Sequence, residues 1–237
     1  MDAYEVTVMT KPMEGSKLYP TAVMLTMTGG FLDSYTYFNR GKVFANAQTG
    51  NIIKLGIAIA EGNHTKIIDF LMPITAFCVG ILTVLFIEHY FKKRKIRYIH
   101  RAVLIIEILM LAVTAFLPQQ EVTNVICNII VSFVCAMQME AFKTFLGQPI
   151  ATTVSTGNLR KVIEFLYHGI VLKSREDLQM TLRFLIIVLL FISGVILGTF
   201  CAEYMGIRAS LVPAGLLAAA FVIITVRYRQ ILQAEKA

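Results

Sequence analysis

The residues best suited to chemistry in this sequence come in pairs. Thr49-Gly50-Asn51 recurs as Thr156-Gly157-Asn158, 107 positions later, and the same shift lays Glu140 on Asp33, Lys161 on Lys54, Phe142 on Tyr35 and Phe145 on Phe38. An asparagine side chain both donates and accepts hydrogen bonds, so Asn51 and Asn158 can hold either backbone or a solute. Gly50 and Gly157 permit a turn or a close backbone contact, and Thr49 and Thr156 are expected to cap short helices that start immediately afterwards. A helix that begins at membrane depth offers free N–H donors and a partial positive end, suited to an anion or a carbonyl oxygen. Thr49, Gly50, Asn51, Thr156, Gly157 and Asn158 are therefore the candidate substrate path, with Tyr35 beside them. The competing reading is that the two asparagines only stabilise a break in a helix.

Asp33 and Glu140 sit within otherwise apolar stretches, GGFLDSYTYF and AMQMEAFKTF. A carboxylate at membrane depth usually faces the bundle interior and either pairs with a base or holds a proton. This makes Asp33 and Glu140 the candidate proton-coupling pair; the alternative is a salt bridge to Lys54, Lys161, Arg40 or Lys143. Lys54 and Lys161 are the candidate charge partners, against the plainer expectation that each snorkels to an interface. Tyr35, Tyr37, Phe38, Phe142 and Phe145 could line a pocket or simply pack between helices. Glu107, in the middle of VLIIEILML, is read as a structural hydrogen-bonding group, with a proton path as the alternative.

No P-loop, dinucleotide fingerprint, metal-binding histidine pair or nucleophile elbow occurs. The four cysteines, Cys78, Cys127, Cys135 and Cys201, show no metal-ligand spacing, and the four histidines lie apart near expected span ends. No catalytic residues, metal site or cofactor are expected, and the chain is not read as an enzyme.

The elements that must position these residues are membrane helices. The 237-residue chain is 57% hydrophobic and only 16% charged, with a mean hydropathy of +0.69. Apolar runs near 20–38, 67–87, 102–117, 122–142, 184–201 and 209–226 approach the roughly 20 residues needed to cross about 30 Å of hydrocarbon. Their continuity disfavours a β-barrel, whose strands alternate. The first 19 residues lack an apolar core, so no secretory signal peptide is expected. The net charge of +7 resides mainly in short connections, which argues for membrane orientation and against nucleic acid.

The basic connections FKKRKIRYIHR and KSREDLQMTLR and the C-terminal tail all belong in the cytoplasm by the positive-inside rule. They share one side only if the apolar piece following Thr156 enters the membrane partway and returns, and the same rule applied to the piece after Thr49 puts the N-terminus inside. The expected fold is all-α and integral to the membrane. It comprises two inverted repeats, each with three transmembrane helices plus one half-length or re-entrant helix following a TGN motif. A cytoplasmic N-terminal segment over 1–19, one membrane domain over 20–228 (repeat one about 20–118, repeat two about 122–226) and a cytoplasmic tail over 229–237 complete it.

The stretch GGFLDSYTYFNRGKVFANAQTGNIIKLG resembles the YoaK-like family of bacterial membrane proteins, a domain of unknown function. The resemblance runs from about residue 18 to 228 and rests on Gly29-Gly30, Asp33, Phe44, Asn46 and Thr49-Gly50-Asn51, with Thr156-Gly157-Asn158 in the second half. It implies an integral protein of the bacterial inner membrane and supplies no substrate. Inverted repeats are a common basis of secondary transport. The leading expectation is a transporter or exporter of a small polar or anionic solute, with protons as the candidate coupling ion. A channel, a membrane enzyme or a small-molecule sensor are the alternatives. The expected partners are the lipid bilayer and the solute. Homodimerisation is an open expectation, since paired domains can steady moving halves and no stretch marks an interface.

Overall fold

The computed structural model describes residues 19–94, 99–145 and 148–234. Of the expectations above, the N-terminal segment up to residue 18, Lys95 and Arg97 of the basic connection, Lys236 of the tail and the side chain of Phe145 lie outside what is described. Among the described residues the chain forms α1 (Tyr19–Asn39), α2 (Gln48–Ala60), α3 (His64–Lys93), α4 (Ile99–Thr114) and α5 (Glu121–Ala141). It continues with α6 (Thr156–Val171), α7 (Arg175–Met205), a 3-10 turn (Gly206–Ser210) and α8 (Leu211–Ala234). One short antiparallel ladder, β1 (Thr144–Phe145) with β2 (Gln148–Pro149), folds the connection between α5 and α6.

Three helical stretches are long and apolar enough to cross a bilayer: His64–Lys93, Glu121–Ala141 and Arg175–Gln230, the last containing α7, the turn and α8 up to Gln230. Their outer faces carry exposed Leu82, Leu85 and Phe86 on α3 and Leu182, Leu189, Ile196 and Phe200 on α7. An apolar surface of that kind is unfavourable in water and matched by lipid tails. The protein is an all-α, multi-pass membrane protein.

Several helices run past their apolar runs because polar residues cap them. Ser174 accepts a hydrogen bond from Asp177 N at 3.2 Å, and Glu176 and Asp177 sit in the first turn of α7, where the helix dipole favours negative charge. Most of the KSREDLQMTLR connection is therefore helix. Asn63 likewise accepts from Lys66 N and starts α3 at His64.

Both TGN phrases lie inside the first turn of a helix rather than ahead of it. Gln48 and Thr156 are the first residues of α2 and α6, and the N-cap positions fall on Ala47 and Ser155, neither with a side-chain capping bond. Thr49 and Thr156 are accordingly not the caps. Alanine built at Gly50 or Gly157 would meet nothing within 4 Å, so neither glycine serves a close contact. The 13 residues of α2 and 16 of α6 reach about 20 and 24 Å at ~1.5 Å per residue, short of a crossing of about 30 Å.

The centre of the molecule is α1, every residue of which from Thr28 to Thr36 is buried. Its polar residues (Thr26, Thr28, Asp33, Ser34, Thr36) are all buried against protein, so it does not need the hydropathy of a lipid-facing span. Helix α1 runs parallel to α7 at backbone contact. A Cβ on Gly30 would stand 2.1 Å from the carbonyl oxygen of Phe191, one on Gly194 2.2 Å from that of Met27, and one on Gly198 2.8 Å from that of Phe31. Small residues spaced by four let two helices approach this closely, which supplies van der Waals contact where lipid removes the hydrophobic drive. In the same way α3 runs parallel to α5, with Gly80 against Phe133 and Ala136, and Val84 clustered with Met137.

The other pairings follow from single contacts. Gln138 near the end of α5 reaches Leu25 O near the start of α1, so these two run antiparallel. Arg101 at the start of α4 lies over the Tyr228 ring near the end of α8. At the other end, Arg40 just past α1 is fully buried and binds the end of α4. Its Nη2 donates to Thr114 O at 2.7 Å, and Nη1 donates to Leu117 O at 3.0 Å and Pro118 O at 3.2 Å. A buried guanidinium on the carbonyls of a helix C-terminus is stabilised by their partial negative charge. Asn128 near the start of α5 donates to Arg40 O, which completes this knot.

Candidate functional site

The polar centre forms where the loop before α2 meets the loop before α6. Thr36 Oγ1 accepts from Ala45 N at 3.3 Å and holds the first loop against α1. Gln48 Nε2 donates to Ser132 Oγ at 2.7 Å, and Ser132 Oγ donates to Pro73 O at 2.7 Å, which fixes the start of α2 between α5 and α3. On the other side, Gln138 Nε2 donates to Thr152 Oγ1 at 2.9 Å and holds the second loop against α5. Asn46 joins the two loops: its Nδ2 donates to Thr153 O and lies 3.4 Å from Asp33 Oδ2. Asn46 and Thr153 are themselves 107 positions apart, so the chain touches itself at corresponding points.

This centre is buried. Asp33 is 8% exposed, Asn46 1% and Thr153 1%. Among the described residues Asp33 Oδ1, Asn46 Oδ1 and Thr153 Oγ1 have no hydrogen-bond partner.

The two asparagines of the TGN phrases do the same local work. Asn51 Nδ2 donates to Phe44 O at 3.4 Å and Asn158 Nδ2 to Ala151 O at 2.7 Å, each carbonyl seven residues upstream. Asn158 also donates to Val154 O and accepts from Ala151 N, and Asn51 also donates to Gln48 Oε1. Each pins its own loop, which places them behind the polar centre. Thr49 and Thr156 are exposed, as is Gly157, and Gly50 is half-buried. Tyr35 is fully buried, donating to Ile207 O at 3.2 Å and accepting from Arg40 Nε at 2.9 Å, a post between α1 and the 3-10 turn.

The structure separates the matched carboxylates. Glu140 lies 2.6 Å from Lys143, whose side chain is 53% exposed, and that bond lifts the Lys143 ammonium above its ordinary 10.5. Asp33 has only Asn46. Lys54 donates to Lys42 O at 3.1 Å and lies over the Phe70 ring, while Lys161 pairs with Glu164 at 3.4 Å. Neither lysine joins Asp33 or Glu140. Tyr37, Phe38 and Phe44 form a ring cluster around Lys42 Nζ rather than a lining at the centre, and the Phe142 ring lies tilted against His100. Glu107 is fully buried and its oxygens have no hydrogen-bond partner among the described residues; it approaches the Cys135 thiol from α4 while Asp33 approaches from α1.

Sequence reasoning put weight on the repeated TGN and passed over Thr152, Thr153 and Gln138. The signal was present in the 107-residue shift, which lays Thr153 on Asn46, but unlike residue types at corresponding positions do not read as a match.

The family model described as "Protein of unknown function (DUF1275)" matches residues 21–223. The chain is similar to "UPF0700 transmembrane protein YoaK" of Bacillus subtilis (strain 168), 26% identical over 180 residues that make up 74% of this chain and 80% of that protein. No solved structure matches.

Proposed function

We propose that this chain, which belongs to the DUF1275 family, is a secondary transporter or exporter of a small polar solute that works by alternating access between two inverted repeats. Residues 20–118 form one repeat and 122–226 the other, in the inner membrane, with the described chain ends cytoplasmic. The observation that carries this is the meeting of the two loops at Asn46 and Thr153. From that buried centre α2 leaves toward the start of α3, and α6 leaves toward the start of α7. Because α3 runs parallel to α5 and α7 parallel to α1, while α1 and α5 are antiparallel, those exits lie at opposite ends of the bundle.

The pairings support two equivalent halves. The first helix of each half packs on the third of the other, α1 on α7 and α5 on α3. The fourth helices, α4 and α8, pack on each other. Exchange of such halves would open the centre first to one side and then to the other. Lys92, Lys173, Arg175 and Arg229 fall together at one end, as the positive-inside rule asks of a cytoplasmic face. Lys54 and Lys161 stand away from the centre, whose charged group is the Asp33 carboxylate, so a polar solute fits better than an anion. The reading also makes the chain a carrier and not an enzyme.

Counterflow in liposomes tests it. Protein reconstituted with a panel of small amides, polyols and amino acids is expected to show saturable exchange of at least one class. Conductance-like flux without saturation or counterflow would replace the carrier with a channel.

A further inference from the structure

We propose that Asp33, Asn46 and Thr153 form a single monovalent-cation site, which takes a proton or a sodium ion, and that one such ion is the coupling ion of each chain. Only the word coupling rests on the transport reading; the binding stands without it.

Charge balance is the first argument. A carboxylate enclosed in protein within a membrane costs several kcal/mol unless a cation or a proton neutralises it. The buried cation nearest in sequence, Arg40, spends its nitrogens on Tyr35, Thr114, Leu117, Pro118 and Asn124. Lys54, Lys143 and Lys161 are engaged elsewhere. Among the described residues, other elements packed around α1 bring no base to Asp33. Helix α5 faces it with the Cys135 thiol, beyond which stands Glu107 of α4, and Cys201 comes from α7. Arg208 of the 3-10 turn is exposed, and on α8 Arg227 and Tyr228 lie toward the opposite end, beside Arg101 of α4.

The ligand set is the second argument. Asn46 is bonded at once to Asp33 Oδ2 and Thr153 O, so the three residues form one unit, and each offers an oxygen with no partner: Oδ1 of Asp33, Oδ1 of Asn46 and Oγ1 of Thr153. Oxygen ligands suit a hard ion or a shared proton. One carboxylate among neutral groups balances one positive charge and leaves a divalent ion uncompensated.

Position and number follow. The unit joins α1 to both loops, so its occupancy would bear on whether the halves stay locked. Glu140, which corresponds to Asp33 in the second half, is held by Lys143 away from the centre, so the site exists once per chain and not twice.

Purified protein in detergent is sufficient for the test. Equilibrium dialysis with radiolabelled sodium, at constant ionic strength set by choline chloride, counts bound ions. Infrared difference spectra across a pH titration count protonated carboxyls. With Glu107, itself a buried carboxyl, replaced by glutamine throughout, the expected result is either one sodium per chain or one protonated carboxyl, lost in D33N and kept in E140Q. Asn46→Ala and Thr153→Ala, which leave the carboxyl in place, are expected to weaken sodium binding roughly tenfold or to shift the carboxyl band, and they serve if D33N does not fold. An ionised Asp33 with no bound sodium, a D33N spectrum and sodium count unchanged from wild type, or loss in E140Q overturns the proposal. Ion binding without counterflow would remove the transport reading and leave this site standing.

Discussion

Replacing one glycine by alanine is expected to have opposite effects at Gly30 and at Gly157. At Gly30 the new methyl would lie 2.1 Å from Phe191 O and 3.0 Å from both Phe191 C and Val195 N, all backbone atoms of α7. No rotamer change can relieve a clash with backbone, so α1 and α7 must part by about 1 Å, and contact along the whole crossing weakens. Overpacking of this kind costs about 1–3 kcal/mol, and with both partners rigid the upper part of that range applies. Alanine's better helix propensity returns about 1 kcal/mol, for a net loss of about 2 kcal/mol.

At Gly157 nothing stands within 4 Å, so only the propensity gain remains, roughly 0.5–1 kcal/mol in a first turn. In a protein of this size each kcal/mol moves the melting temperature by roughly 2–4 °C. Gly30→Ala should then melt about 4–8 °C below wild type and Gly157→Ala slightly above it. The chain has no tryptophan, so unfolding is best followed by a thiol-reactive fluorophore that reports release of buried Cys127 and Cys135, with exposed Cys78 replaced by serine. Equal melting temperatures for the two variants would refute the close α1–α7 crossing.

Arg40→Gln is expected to lower stability by about 3 kcal/mol, because it strips charged hydrogen bonds from buried carbonyls at the end of α4; Arg40→Lys should not restore it, since one ammonium cannot span that set. Tyr35→Phe, which removes one bond from the same knot, should cost about 1 kcal/mol in the same assay. Asn51→Ala and Asn158→Ala should each destabilise by about 1–2 kcal/mol as their loops come loose, and a fully stable Asn158→Ala that abolished counterflow would instead return this residue to the solute path. The half-exposed Glu140–Lys143 pair is worth at most about 1 kcal/mol. Because Glu140 raises the Lys143 ammonium, its contribution is present at neutral pH and fades as pH rises through the lysine's titration, so Glu140→Gln and wild type should converge in alkaline buffer and in high salt.

The helices were legible because lipid demands continuous apolar runs, and the two helices that carry the TGN phrases are the short ones, 13 and 16 residues. Helix ends were less so. Ser174 and the acids after it extend α7 into a stretch whose lysine and arginines read as a loop. The repeat drew attention to Asn51 and Asn158, whose side chains the structure bonds to their own loops. Identical side chains at Asn51 and Asn158 are repeated because each half needs the same loop pin. The centre is made by the unlike pair Asn46 and Thr153, and no local pattern announces a contact between two loops. Asp33 and Glu140 correspond in sequence but part in space, since Lys143 follows Glu140 by one helical turn and nothing equivalent follows Asp33.

Labelling from each side of the membrane, on a background with all four native cysteines replaced, tests the two-half arrangement most directly. Single cysteines at Lys92, Lys173 and Arg229 are expected to react from the cytoplasmic side, and those at Glu61, Gln119 and Glu203 from the opposite side. Reaction of Lys173→Cys and Arg229→Cys on the side opposite Lys92→Cys would mean that α6 crosses the membrane, and the inverted halves with their shared centre would be wrong.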